Sequence, residues 1–126
     1  MMKGLKGEHT FQVTDDMAAR HISDIVPVLS TPHMIALMEI ASHKTVEPYL
    51  EEGQSTVGTY ICVHHRAPAP VGSTVRVIAE LLEIDRRKLR FKVEVYWRDK
   101  LIGEGEHERF VVDLERFAAK LKEELS

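Results

Sequence analysis

Around residues 88–98 the chain alternates apolar and polar side chains: Leu89, Phe91, Val93, Val95 and Trp97 against Arg90, Lys92 and Glu94. Successive strand side chains point to opposite faces, so this pattern describes a strand with one face buried and the other wetted. Polar breaks bound it on both sides, Asp85-Arg86-Arg87-Lys88 and Arg98-Asp99-Lys100. Both are short enough for hairpins, which obliges the neighbouring strands to run antiparallel. Those neighbours are expected through Val75, Val77, Ala79 and Leu81 upstream and from Leu101 to Val112 downstream. An earlier strand sets Val57, Thr59, Ile61 and Val63 against Gly58, Tyr60 and Cys62. A shorter one is expected from Glu8 to Val13, stopped by Thr14-Asp15-Asp16.

One long helix precedes the main strand run. Thr31 is expected as its N-cap, with a hydroxyl that can accept from an orphan backbone N–H, and Pro32 suits the first helical position. Met34, Leu37, Met38, Ala41 and Thr45 then recur at helical spacing, Ile35 and Ile40 widen the apolar surface, and Gly53 is the expected stop after Glu51-Glu52. A centre apolar almost all round predicts a helix wrapped by other structure. Before it, Pro27 breaks any helix and leaves Ile25, Val26, Val28 and Leu29 as a hydrophobic loop or short lid. At the other end, Leu114, Phe117, Ala118, Leu121 and Leu125 predict a short amphipathic helix. The expected architecture is α+β: one domain over residues 1–126, with a curved antiparallel sheet around a central helix and a short C-terminal helix.

Composition excludes several function classes. With 126 residues, 44% hydrophobic and 29% charged side chains, and a formal charge of −3, the chain has the make-up of a globular domain and not of a general polyanion binder. No nucleic acid partner is expected. The stretch from Met1 to Thr10 lacks a signal-peptide core, and no run approaches the roughly 18 apolar residues of a membrane span, so a cytoplasmic protein without membrane partners is expected. The single cysteine, Cys62, rules out a disulfide within the chain and, in a hydrophobic strand, reads as a buried thiol.

Chemistry concentrates in few places. Glu39 stands among Ile35, Ala36, Leu37, Met38, Ile40 and Ala41, where an unpaired buried acid would be costly, so it must reach solvent, pair or work. His64 and His65 close a strand and alternate in direction, so only one serves a given site, and the pattern alone does not choose. Gly58 is either a strand bulge or a place where substrate approaches the backbone. Thr31 has a bland reading as a cap. Threonine, glutamate and histidine together can run acyl transfer. A metal site through His64, His65 and His107 is disfavoured, because no HxxxH or CxxC spacing exists and adjacent strand residues cannot converge on one ion. No cofactor is expected.

Three segments carry a family resemblance: Ser30-Thr31-Pro32-His33-Met34 with Glu39 eight residues after Thr31, Val57-Gly58-Thr59 followed by Val63-His64-His65-Arg66-Ala67, and Gly105-Glu106-His107-Glu108-Arg109-Phe110-Val111-Val112. From Val28 to about Phe117 the chain resembles the hotdog-fold acyl-CoA thioesterases of the fluoroacetyl-CoA thioesterase branch. The resemblance implies a catalytic Thr31, Glu39 and His65, an oxyanion-binding Gly58, and an active-site arginine at Arg109, for which a surface salt bridge to Glu106 or Glu108 is the competing reading. It also implies a homodimer, or a tetramer built from such dimers, with sheets joined edge to edge, each site built from both subunits, and an acyl-CoA substrate. The lid stretch Asp24–Leu29 departs from the branch in having no aromatic residue. That puts fluoroacetyl selectivity in doubt and suits a short or medium acyl chain. A non-catalytic module binding acyl-CoA or a pantetheine ligand is the alternative function, since it needs the pocket but not His65 with Glu39.

Overall fold

The computed structural model describes residues 1–19 and 27–126. Strands β1 (Lys6–Gln12), β2 (Gln54–His65), β3 (Thr74–Asp85), β4 (Lys88–Trp97) and β5 (Lys100–Asp113) form one antiparallel sheet in the order β1-β3-β4-β5-β2. Helix α1 (Thr31–Val46) lies on one face, and α2 (Leu114–Leu125) follows β5. The two hairpins fall where the polar breaks lie, with Arg86 and Arg98 in left-handed backbone at φ 57° and 56°. The two ends of the sheet are β1 and β2, so the twelve-residue β2 is an edge strand.

The core forms where α1 meets the sheet. Met34, Leu37, Met38, Ala41 and Val46 bury their side chains together with Val75, Val77, Ala79 and Leu81 of β3 and Leu89, Phe91, Val93 and Val95 of β4. Each fully buried aliphatic side chain contributes about 1.5–3 kcal/mol relative to exposure, which makes this face of α1 the principal hydrophobic anchor of the fold. The opposite face is not wrapped. Ala36 and Glu39 are half-buried and Ile40 is exposed, so the helix is covered on one side only in the single chain.

Several expectations need correction. Ser30, not Thr31, is the N-cap: its hydroxyl accepts from the His33 N–H at 3.2 Å, which places Thr31 in the first turn. The helix ends at Val46 rather than near Gly53, because Pro48 has no N–H to continue the ladder and the chain passes into a 3-10 turn at Glu47–Tyr49. Cys62 is exposed, since it lies on the outer side of the edge strand β2. The first strand covers Lys6–Gln12 rather than Glu8–Val13. Of the expected lid, Ile25 and Val26 lie outside the described residues, as does Asp24; Leu29 is a core residue bridged to Ala18, and Val28 bridges to Pro70. Among the described residues no helix is long and apolar enough to cross a membrane.

In the register of β2 against β5, Gly58 pairs with Arg109 and Tyr60 with Glu108, so Thr59 is an extra residue. This bulge reverses the phase of the strand. Thr56 and Gly58 face inward before it, and Ile61, Val63 and His65 lie on the less exposed side after it. An odd spacing of seven residues would otherwise send Gly58 and His65 to opposite faces. The same pairing is tight at Gly105, where a Cβ would sit 2.2 Å from the Cys62 carbonyl oxygen and 2.6 Å from the Val63 Cα. Those are backbone atoms and cannot rotate away. Gly105→Ala is therefore expected to destabilise the fold by about 1–3 kcal/mol in urea unfolding, and an unchanged midpoint would show that the two strands have room to separate.

Candidate functional site

Two cavities flank α1, and the candidate residues divide between them. The first, of about 540 Å³, is lined by Ala19, Val28, Leu29, Thr31, His65 and Ala67, among others. At its wall the Thr31 Oγ1 lies 2.8 Å from the His65 Nδ1. This contact is available because Ser30 has taken the capping role and left the Thr31 hydroxyl free. The other ring nitrogen of His65, Nε2, is buried without a hydrogen-bond partner among the described residues. Burial pushes the His65 pKa below the usual histidine value, and the nearby Ala67 carbonyl opposes that shift in part. The ring is thus neutral at neutral pH, with Nδ1 directed to the hydroxyl. His64, on the other face of β2, is exposed.

The second cavity, of about 460 Å³, contains Glu39, Ile40, His43, Thr56, Gly58 and Arg109 in its lining. A Cβ on Gly58 would stand 2.9 Å from the Glu39 Oε1, 3.3 Å from the His107 Cε1 and 3.4 Å from the Arg109 Nη1, so these groups crowd one point in front of the glycine. Gly58 combines both readings considered for it: it adjoins the bulge, and its missing side chain leaves a gap beside polar groups.

Arg109 is buried, and the surface salt-bridge reading fails. Glu106 pairs with Arg90 at 3.0 Å and Glu108 with Lys88 at 3.5 Å on the outer face of the sheet. Arg109 instead donates from Nε to the Thr56 hydroxyl at 2.7 Å and from Nη2 to the Thr56 carbonyl at 2.9 Å, while its Nη1 lies 3.1 Å from the His107 Nε2. Burial disfavours its charge and the neighbouring Glu39 carboxylate favours it. Fully buried His107 stacks on Phe91 with ring centroids 6.3 Å apart, and its Nδ1 lies 2.8 Å from the Tyr60 carbonyl. Burial also lowers the His107 pKa, with the Arg109 cation adding to the effect.

Sequence reasoning named His107 only as a doubtful metal ligand and did not name Thr56. The alternation of β5 carried the missing signal, since His107, Arg109 and Val111 share its inner face. Among the described residues no group of three or more His, Cys, Asp or Glu side chains is placed to hold a metal ion.

Within one chain the five candidates do not meet at one point. Thr31 and His65 are in contact, and Glu39, Gly58 and Arg109 cluster separately. Eight residues of α-helix separate Thr31 from Glu39 by about 12 Å along the axis.

Comparison with known proteins gives this arrangement a context. The family model for fluoroacetyl-CoA-specific thioesterase matches residues 13–115. The fluoroacetyl-CoA thioesterase of Streptantibioticus cattleyicolor is 38% identical over 130 residues, which span 98% of this chain and 94% of that protein. A structure of a threonine-to-serine variant of a fluoroacetyl-CoA thioesterase, in complex with acetyl-CoA, aligns with a TM-score of 0.90 at 37% identity over 100% of both chains. A thioesterase superfamily member from Thermus thermophilus aligns with a TM-score of 0.87 at 30% identity, covering 98% of this chain and 95% of the other. Fold and likeness together define a hotdog-fold thioester hydrolase. The chain belongs to the fluoroacetyl-CoA-specific thioesterase family.

Among the described residues His9, His65 and His107 have pKa values lowered by burial. A group depressed in the folded state binds its proton more readily in the unfolded chain, so stability is full above the unfolded value and is lost as pH falls through the folded one. The melting temperature is expected to fall as pH drops from about 7 to about 5, more steeply in the wild type than in His107→Gln. Equal slopes would show that His107 takes up its proton without resisting it.

Proposed function

We propose that the protein hydrolyses a short acyl-CoA thioester at sites shared between two subunits. The observation that carries this reading is the Thr31 Oγ1 to His65 Nδ1 contact of 2.8 Å on the wall of an aliphatic cavity. Hydrolysis of a thioester requires a proton to leave the attacking oxygen and a proton to reach the departing sulfur. His65, neutral and bonded to a hydroxyl, is suited to both transfers. The Thr31 oxygen attacks the carbonyl carbon while its proton passes to His65 Nδ1. The C–S bond then breaks, and the same proton goes to the CoA sulfur. Water cleaves the resulting acyl-threonine, with its proton returned through His65 to the threonine oxygen. The acyl chain occupies the cavity beside Val28 and Leu29, whose aliphatic lining accepts a short hydrocarbon group. The acetyl-CoA bound by the similar thioesterase supports a short acyl substrate.

Glu39, Gly58 and Arg109 join this chemistry from the partner subunit. β2 is a long edge strand whose free backbone groups can pair with a second copy. Antiparallel pairing about a two-fold axis at Cys62 sets Gly58 of one protomer opposite the partner's His65, because Thr59 is the extra residue of the bulge and both then lie three paired positions from that axis. The bulge keeps both on the concave side. Ile40 and Tyr60, 43% and 47% exposed in the single chain, supply apolar surface on the helix and the edge strand. In that assembly the Arg109 cation and the backbone at Gly58 face the thioester carbonyl, and Glu39 orients the hydrolytic water.

A thiol-release assay across an acyl-CoA panel tests the activity. Turnover is expected to be highest for short chains and to fall at least about 10²-fold in His65→Ala and in Glu39→Ala. Unchanged turnover in those variants, or tight binding of CoA esters without turnover, would overturn hydrolysis in favour of a binding module.

Subunit sharing has its own test. Mixing inactive Thr31→Ala and Glu39→Ala proteins and allowing exchange yields heterodimers with one intact site, so roughly a quarter of wild-type activity is expected to return. No recovery under demonstrated exchange would place Thr31 and Glu39 in one chain's site.

A further inference from the structure

The buried Arg109 is held in an unusual way. Five N–H donors project from a guanidinium, and three of them are engaged: Nε by the Thr56 hydroxyl, Nη2 by the Thr56 carbonyl and Nη1 by the His107 ring. All three acceptors are neutral. Among the described residues no carboxylate lies within ion-pair distance of Arg109, although Glu39 is close enough to act on it through space.

The protonation pattern follows from donor and acceptor chemistry. A carbonyl only accepts, so His107 must donate Nδ1–H to Tyr60; a guanidinium only donates, so His107 Nε2 must be bare. His107 is therefore a neutral Nδ1–H tautomer, locked from both sides. The network runs outward. The Thr56 oxygen accepts from Arg109 and also lies 2.7 Å from the His43 Nδ1, whose Nε2 in turn lies 3.0 Å from the Glu47 carboxylate. A chain of hydrogen bonds thus extends from the helix surface at Glu47 to the Tyr60 carbonyl beside the bulge, with Arg109 at its centre.

We infer that His107 and Thr56 are positioning residues that hold the Arg109 guanidinium against the Gly58 gap through neutral acceptors, with no carboxylate among the described residues in direct contact with it. Carboxylate partners would have neutralised its charge before substrate arrived. Neutral acceptors fix the plane of the fork and leave the cation available to Glu39 and to negative charge developing on the thioester oxygen. The catalytic consequence rests on the thioesterase reading given above; the geometric part does not.

Two substitutions at one position separate positioning from packing. His107→Phe preserves the apolar stack on Phe91 but removes the acceptor, whereas His107→Gln sacrifices the stack and keeps an acceptor near the Nε2 position. A packing role favours Phe; a positioning role favours Gln. With melting temperatures measured for both, kcat is expected to fall about 10–100-fold in His107→Phe with KM changed less than about threefold, and to recover to within about threefold of wild type in His107→Gln. Thr56→Val is expected to behave like His107→Phe, and Thr56→Ser like His107→Gln.

A readout independent of activity is the Arg109 Nη1–H resonance in a 15N–1H spectrum, assigned by its loss in Arg109→Lys. It is expected to be protected from solvent exchange in the wild type and in His107→Gln, and broadened in His107→Phe. Retention of kcat in His107→Phe, or an unaltered Arg109 signal there, overturns the inference. If the wild type hydrolyses no thioester, the thioesterase reading fails while the Arg109 signal still decides the positioning role.

Discussion

Burial of one face of α1 against the inner face of the sheet is the constraint from which the rest follows. Met34, Leu37, Met38 and Ala41 need a concave apolar surface, and the valines of β3 and β4 with Phe91 provide it. Once that face is committed, the first turn of the helix comes beside the end of β2, and its middle comes beside the start of β2. Thr31 then meets His65, while Glu39 looks toward Gly58 and Arg109. The helix sets both clusters of candidate residues through one packing event, and their separation is a consequence of helical rise.

A polar patch persists inside this structure at a real energetic expense. A buried guanidinium loses its hydration, and an unpaired buried cation costs several kcal/mol. Arg109 escapes most of that cost by satisfying three donors on Thr56 and His107. His107 in turn is satisfied by the Tyr60 carbonyl at its Nδ1, next to the bulge at Thr59. The bulge, the neutral histidine and the buried cation form one unit. On the outer face of the same strand, Glu106 and Glu108 are matched with Arg90 and Lys88, so opposite sides of β5 handle charge by different means.

Much of the fold was legible because it rests on short-range rules. Alternation from Leu89 to Trp97, the two hairpin breaks, and the helical spacing after Pro32 are local patterns with local causes. The errors were local competitions that sequence does not rank. Ser30 and Thr31 are both good caps, and the fold caps with Ser30 while Thr31 meets His65 of a strand 34 residues away. The helix stop fell to Pro48 rather than Gly53 because loss of a donor outweighs a permissive glycine downstream. Cys62 was assigned a buried place by the hydrophobicity of its strand, but whether a strand lies at an edge depends on the pairing order of the whole sheet.

For the candidate site, the sequence by itself supplied the candidates: a threonine and an acid eight residues apart on one helix, a glycine and a histidine on one strand, and an arginine on the last. Their residue types and spacing are written in the chain. What only the tertiary structure decided is which of them touch. An odd spacing between Gly58 and His65 should place them on opposite faces, and the extra residue at Thr59 cancels that expectation. A strand's phase depends on how its partner accommodates it, so no reading of β2 alone could reveal the bulge. Burial of Arg109 likewise depends on acceptors 53 residues away in sequence. Such contacts come from chain crossings that form only when the sheet closes over the helix.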